Sequence, residues 1–275
     1  MPDFEGKVAL ITGAARGQGR SHAVRMAELG ADVVAVDVCA DLPFVPYALP
    51  GPADLEETAR AVEKAGRRCL AIVADVRDAA AMAAGVERAL EELGQIDVVC
   101  ANAGVIQLKP ATDISAADWA SVIAVNLTGV WHTIAPVLPS MIERQQGAIV
   151  IISSAAGLKG PPHMAHYAAS KSGVIGLMRS LAAELGPVGI RVNCVAPTTV
   201  DTTMIHFPQA YQVFRPDLPA PGRDDVLDVF ASLNVLPVPW IEPADVTEAV
   251  VWLASDEARY VTGIVLPVDA GTLVK

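Results

Sequence analysis

Tyr167 and Lys171 stand four residues apart in Met164 to Leu185, a stretch with helical character, so their side chains share one helix face. Ser154 lies thirteen residues before the tyrosine, just after the apolar run Ala148 to Ile152. A phenol titrates near ~10, too high for a base at neutral pH, whereas a nearby ammonium favours the phenolate. Lowering that pKa to ~7 takes about 4 kcal/mol, which two cations in a partly dry cleft can supply. A Tyr-x-x-x-Lys pair alone recurs by chance. Its weight comes from Ser154 and from a glycine loop near the N-terminus.

That loop, Thr12-Gly13-Ala14-Ala15-Arg16-Gly17-Gln18-Gly19, follows the apolar run Val8 to Ile11 and precedes a helical pattern beginning near Arg20. Between a strand and a helix, glycines let the backbone approach a pyrophosphate, which the helix N-terminus stabilises. Gly13, Arg16, Gly17, Gln18 and Gly19 are therefore expected to contact a dinucleotide. The next apolar run, Val33 to Val36, ends in Asp37, eighteen residues after Gly19 and close to the spacing of a ribose-binding carboxylate. Like charges ~4 Å apart repel by up to about 4 kcal/mol near a surface, so Asp37 favours NAD over NADP. Arg16 pulls the other way, toward a 2′-phosphate. The oxidised nicotinamide would supply the second cation beside Tyr167.

These residues need a scaffold. Short apolar runs recur at Val8–Ile11, Val33–Val36, Leu70–Val73, Ile96–Cys100, Ala148–Ile152, Ile190–Val195 and Ile264–Val268, most separated by helical patterns. Runs without inside/outside alternation fit strands buried on both faces, hence a single α/β domain over 1–275: a doubly wound parallel sheet of about seven strands, Rossmann-type, with helices on both faces. Two proline-rich segments break the alternation: an insertion at 39–53, and 204–240, expected as a substrate lid. Of 275 residues, 31 are acidic and 20 are Lys or Arg, a net charge of −11 that argues against nucleic acid and anionic membrane surfaces. No apolar run reaches the ~18–20 residues of a membrane span, and the N-terminus lacks the order of a signal peptide, so a cytoplasmic location is expected. Cys39, Cys69, Cys100 and Cys194 are scattered and read as buried free thiols. His163 and His166 read as pocket-rim histidines rather than a metal site.

Taken together, Thr12-Gly13-x-x-x-Gly17-x-Gly19, Asp75-Val76, Asn102-Ala103-Gly104, Asn126, Ser154, Tyr167-x-x-x-Lys171 and Asn193 resemble the short-chain dehydrogenase/reductases along essentially the whole chain. The resemblance implies that Ser154 holds the substrate oxygen, Tyr167 exchanges its proton, and Lys171 binds the nicotinamide ribose and lowers the tyrosine pKa. Asn126 would anchor a water in the proton relay. Asp75 and Val76 would meet the adenine, while Asn102, Ala103 and Gly104 would line the cofactor cleft. Pro197, Val200 and Thr202 would approach the nicotinamide amide, but Thr198 replaces the family's usual glycine, which puts the local backbone in question. A homotetramer is also implied.

The insertion after Asp37 is similar to that of a subgroup, the mycofactocin-coupled or carveol-dehydrogenase-like enzymes, in which NAD stays bound and is reoxidised in place by another redox carrier. A loop starting beside the adenosine ribose is placed to cover the cofactor. Pocket candidates are apolar or aromatic: Ile106, Leu108, Leu158, Met164, Met204, Phe207 and Trp240. With no arginine among them, a hydrophobic secondary alcohol, terpenoid- or steroid-like, is the expected substrate. The alternatives are an NADPH-dependent ketone reductase of the same fold and a non-catalytic dinucleotide-binding scaffold. A serine hydrolase is disfavoured because Ser154 lacks the flanking glycines of a nucleophile elbow.

Overall fold

The computed structural model describes residues 2–275. Seven strands, β1 (Val8–Thr12), β2 (Asp32–Asp37), β3 (Cys69–Val73), β4 (Val98–Ala101), β5 (Gly147–Ile152), β6 (Ile190–Pro197) and β7 (Val265–Val268), form one parallel sheet in the order β3-β2-β1-β4-β5-β6-β7. Leu10 on β1 pairs with Val34 on one side and Val99 on the other. The chain runs outward in opposite directions from β1 and β4, so a crevice opens beyond their carboxyl ends, the usual ligand position in such sheets.

The strands lack polar alternation because each face has its own core. Val8, Leu10, Val34 and Val36 pack with Met82, Ile134 and Met178 from the helices on one side. Ala9, Ile11, Val33 and Ala35 pack with Met26, Leu55 and Val250 on the other. Alternate side chains thus enter two dry layers, as a sheet covered by helices demands. The helical run Ala116–Arg144 has the length and hydropathy of a membrane span, which the reading of apolar runs overlooked. Its buried Val130, Ile134 and Met141 belong to the core beside the sheet, and its buried Val122 packs in a separate cluster with Tyr167. A π turn at Ala124–Thr128 interrupts it and carries the buried Asn126.

Both proline-rich segments are ordered. The first is irregular over 38–51; Pro52 belongs to the helix Pro52–Lys64, because proline at a first helical position has the right φ and no missing partner. The second leaves and returns through one neck. Val200 bridges Ile241, with Asp201 N–H donating to the Ile241 carbonyl (2.9 Å) and Ile241 N–H to that of Thr199 (3.0 Å). Between them lie two short helices, Pro208–Phe214 and Leu227–Ser232. Asp201 holds the excursion in place, accepting from Arg223 (2.5 Å) and pairing with His206 (2.7 Å), whose other ring nitrogen meets the Tyr211 hydroxyl (2.8 Å).

Candidate active site

The glycine loop turns tightly after β1. A Cβ on Gly19 would sit inside the Gly13 carbonyl and 2.8 Å from the Asn102 amide nitrogen, and Gly13 itself has φ +68°. Asn102 donates to the Thr12 carbonyl (2.9 Å), tying this loop to the end of β4. Asp37 is buried at the end of β2, and its carboxylate accepts from the backbone N–H of Ala15 (3.0 Å) and Cys39 (3.2 Å). Burial pushes its pKa up, against those two donors and the nearby Arg16 cation. Gly13, Arg16, Gly17, Gln18, Gly19, Asp37, Asp75, Val76, Asn102, Ala103, Gly104 and Thr202 all line one continuous cleft. In it, the Gln18 Oε1 is buried without a hydrogen-bond partner, an acceptor that suits a ligand donor.

Beside the cleft, next to Gly104, the turn after β5 carries Ser154 and the helix Ala165–Leu185 carries Tyr167 and Lys171; none of the three is in the cleft's lining, although Tyr167 and Lys171 are expected to contact the cofactor. Gly157 lets these two segments touch, since a Cβ there would lie 2.8 Å from the Lys171 backbone. The Ser154 hydroxyl accepts from Ala156 N–H (3.1 Å) and stands close enough to the Tyr167 phenol to favour its ionised form. The Lys171 ammonium donates to the Ile152 carbonyl (2.8 Å) and lies 5.9 Å from the Tyr167 ring centre. Asn126 accepts from Val105 N–H (2.8 Å) and donates to the Val105 carbonyl (2.9 Å) and the Ser170 hydroxyl (3.2 Å). Lys171 Nζ and Asn126 Oδ1 converge on Gly104, at 3.4 and 3.5 Å from where its Cβ would be.

Electrostatics in the bare chain differ from the expected acidified phenol. Burial pushes the Tyr167 pKa up, opposed by the nearby Ser154 hydroxyl, and lowers Lys171 to about 8. The ammonium is aimed at a carbonyl rather than at the phenol oxygen, so desolvation outweighs its attraction for a phenolate.

The apolar candidates separate into two groups. Ile106, Leu108, Met164, Met204 and Phe207 pack in one cluster with Tyr167. Leu158 instead stands 43% exposed. Trp240 belongs to a second cluster with Tyr211 and Phe230, stacked against Arg223 and edge-on to His206. Pro197 and Val200 lie beside the cleft rather than in its lining, occupied by the Ala155 backbone and the Ile241 bridge. Thr198 has no left-handed backbone, and its hydroxyl meets those of Thr272 (2.8 Å) and the Asn234 side chain (3.3 Å), so the glycine it replaces is not needed for the turn.

Several contributors escaped the sequence reading. Leu42, Tyr47, Leu49 and Pro50 of the insertion line the cleft. Phe44 lies under the Arg77 guanidinium (5.5 Å), which is itself held bidentately by Asp75, and the Phe44 carbonyl accepts from Gln107. Gln107 also accepts from His166 (3.1 Å), a fully buried residue rather than a pocket-rim one. The proline density marked the segment; nothing local marked its partners, which are distant in sequence. Among the described residues no group of His, Cys, Asp and Glu is placed to hold a metal. All four thiols are free, and burial raises their pKa values, Cys39 to about 11 and Cys194 to about 12.

A doubly wound sheet carrying a glycine cradle in a cleft and a serine–tyrosine–lysine set beside it defines a dinucleotide-type oxidoreductase fold. The chain belongs to the short-chain dehydrogenases: residues 7–210 match the family model described as short chain dehydrogenase. It is 49% identical over 277 residues, covering 100% of both chains, to the (-)-trans-carveol dehydrogenase of Rhodococcus erythropolis. Among solved structures it is similar to carveol dehydrogenase from Mycobacterium avium in complex with NAD, with TM-score 0.98, 48% identity and 100% of both chains covered. A short chain dehydrogenase from Mycobacterium paratuberculosis bound to NAD gives TM-score 0.90 and 45% identity, over 99% of this chain and 100% of that one.

Proposed function

We propose that this protein is an NAD-dependent dehydrogenase that oxidises a hydrophobic secondary alcohol, terpenoid- or steroid-like, to its ketone. The observation that carries this reading is the position of Tyr167, which belongs at once to the Ser154–Lys171 set and to an apolar cluster with Ile106, Phe207, Met164 and Met204. The relatives named for carveol dehydrogenase support the substrate class, and the NAD-bound ones support the cofactor.

The cleft fits a dinucleotide: the close-packed Gly13–Gly19 cradle, the fixed carboxylate of Asp37 and the orphaned Gln18 oxygen are all on its lining. When bound, NAD supplies the hydride acceptor and a positive ring. Ser154 orients the alcohol oxygen, and Tyr167 takes its proton. Lys171 holds the nicotinamide ribose and, with the ring, offsets the burial that raises the phenol pKa. Asn126 fixes Val105 and keeps an oxygen lone pair toward Gly104 for a relay water. The test is to denature the purified protein, identify the released dinucleotide, and screen secondary alcohols with NAD and an artificial electron acceptor. NADP in the released fraction, or turnover of no alcohol, would end the reading.

Gly19→Ala is expected to weaken NAD binding about 100-fold, since the loop must shift by about an ångström to clear the Gly13 carbonyl. Titration by intrinsic fluorescence measures this; unchanged affinity would refute the cradle.

The insertion we read as a cover over the cofactor, held by Phe44 under Arg77 and by Tyr47 on Ile106. Such a cover favours reoxidation of NAD in place by a mycofactocin-like carrier. NAD is expected to survive exhaustive dialysis. Phe44→Ala is expected to speed its release about tenfold, matching ~1.4 kcal/mol of lost cation–π contact. Free escape of NAD from the unaltered protein would remove the cover. The half-exposed Trp119 and Trp131 on the Ala116–Arg144 run support assembly as a homotetramer, measurable by sedimentation.

A further inference from the structure

Most cleft-facing side chains of the insertion address the dinucleotide side, but Tyr47 reaches further. Its ring packs on Phe207 with centres 5.1 Å apart and planes tilted by 40°. It joins the apolar cluster that holds Tyr167, Ile106 and Phe207, and it also lines the dinucleotide cleft. Its hydroxyl accepts from Ile106 N–H (3.1 Å), which fixes the ring at the start of the segment after Gly104. Both Arg16, on the cofactor side, and Tyr167, on the alcohol side, are near enough to act on it electrostatically.

We propose that Tyr47 is a specificity-determining residue, its ring forming the wall shared by the cofactor cleft and the alcohol pocket and selecting cyclic apolar alcohols over small ones. The inference rests on the alcohol-dehydrogenase reading above and assigns its selectivity to the insertion. Three features carry it. The Tyr47 ring, packed on Phe207, extends one continuous apolar wall for a saturated ring to lie against, a contact that a short alcohol makes only in small part. The partly buried phenol has its pKa pushed up by desolvation, so it works as a surface and leaves proton exchange to Tyr167. The anchor to Ile106 holds the ring without the entropy cost of ordering it when substrate arrives.

The experiment compares kcat/KM for a panel of cyclic secondary alcohols (cyclohexanol, menthol, carveol) with that for propan-2-ol, in the NAD-loaded protein. In Tyr47→Ala the ratio of the best cyclic alcohol to propan-2-ol is expected to fall by at least about tenfold, the effect of removing a few apolar contacts from a pocket. In Tyr47→Phe, which keeps the ring and loses only the Ile106 bond, the ratio is expected to stay within about threefold. Tyr47→Leu, with thermal midpoints for each variant, covers the case in which the alanine protein does not fold. Equal losses for both alcohols, or a phenylalanine variant that loses as much as alanine, would overturn the proposal. If the unaltered protein oxidises no alcohol in the set, the functional reading itself fails, and this inference falls with it.

Discussion

Replacing Tyr167 by phenylalanine is expected to lower alcohol oxidation by about 10²–10⁴-fold while NAD still binds. The ring remains to pack with Ile106 and Phe207, so the pocket keeps its shape and only the proton acceptor is lost. The pH profile separates this from a structural effect. Burial raises the phenol pKa, and the reactive form in oxidation is the phenolate. In the unaltered enzyme the rate therefore rises with pH, about tenfold per unit, until the phenol is titrated. The residual activity of the variant has no such group and is expected to be flat with pH over that range. Ser154→Ala removes the nearby hydroxyl that opposes the effect of burial and is expected to move the rising limb to higher pH. Retained turnover in the phenylalanine variant, or an unshifted limb in the alanine one, would refute the assigned roles.

The sheet was legible because buried parallel strands write themselves as continuous apolar runs. All seven observed strands begin and end within two residues of the expected ones. The cleft was legible for a related reason: Gly13, Asp37 and Asn102 sit at strand ends and Gly19 in the first turn of the following helix, where the alternation of elements fixes their position. The alcohol side was harder. Met164, Met204 and Phe207 gather around Tyr167, but Leu158, four residues past Ser154, points to solvent, and Trp240 packs within the 202–240 excursion instead. Such residues are placed by loop closure, here the Val200–Ile241 neck and the Asp201–His206–Arg223 ion cluster, contacts between residues far apart in sequence. The same holds for the insertion. Its prolines announced an irregular segment, whereas its function as a wall depends on Arg77, Gln107 and Phe207, which no local pattern ties to it.

Lys171 gives the sharpest contrast between what the fold wants and what the chemistry needs. Its ammonium is buried, lacks a carboxylate partner and has one carbonyl, that of Ile152, so its pKa falls to about 8. Below pH 8 the group is charged in both folded and unfolded chains, and its full burial cost weighs on the native state. Between pH 8 and about 10.5 the native chain has released a proton that the unfolded chain keeps, so this cost fades as pH rises. Lys171→Met fills similar space without charge. Leaving the Ile152 carbonyl unpaired costs about 1 kcal/mol, less than the several kcal/mol of a buried ion. The variant stripped of dinucleotide is therefore expected to be more stable at pH 7 by about 1–2 kcal/mol, raising its thermal midpoint by roughly 2–6 °C. That advantage is expected to shrink steadily between pH 8 and 10.5. Alcohol oxidation by the same variant is expected to fall by at least about 100-fold, because the phenolate and the ribose both lose their cation. A lower midpoint at pH 7, or a stability difference independent of pH, would show that the lysine is a structural support rather than a charge held against the preference of the fold.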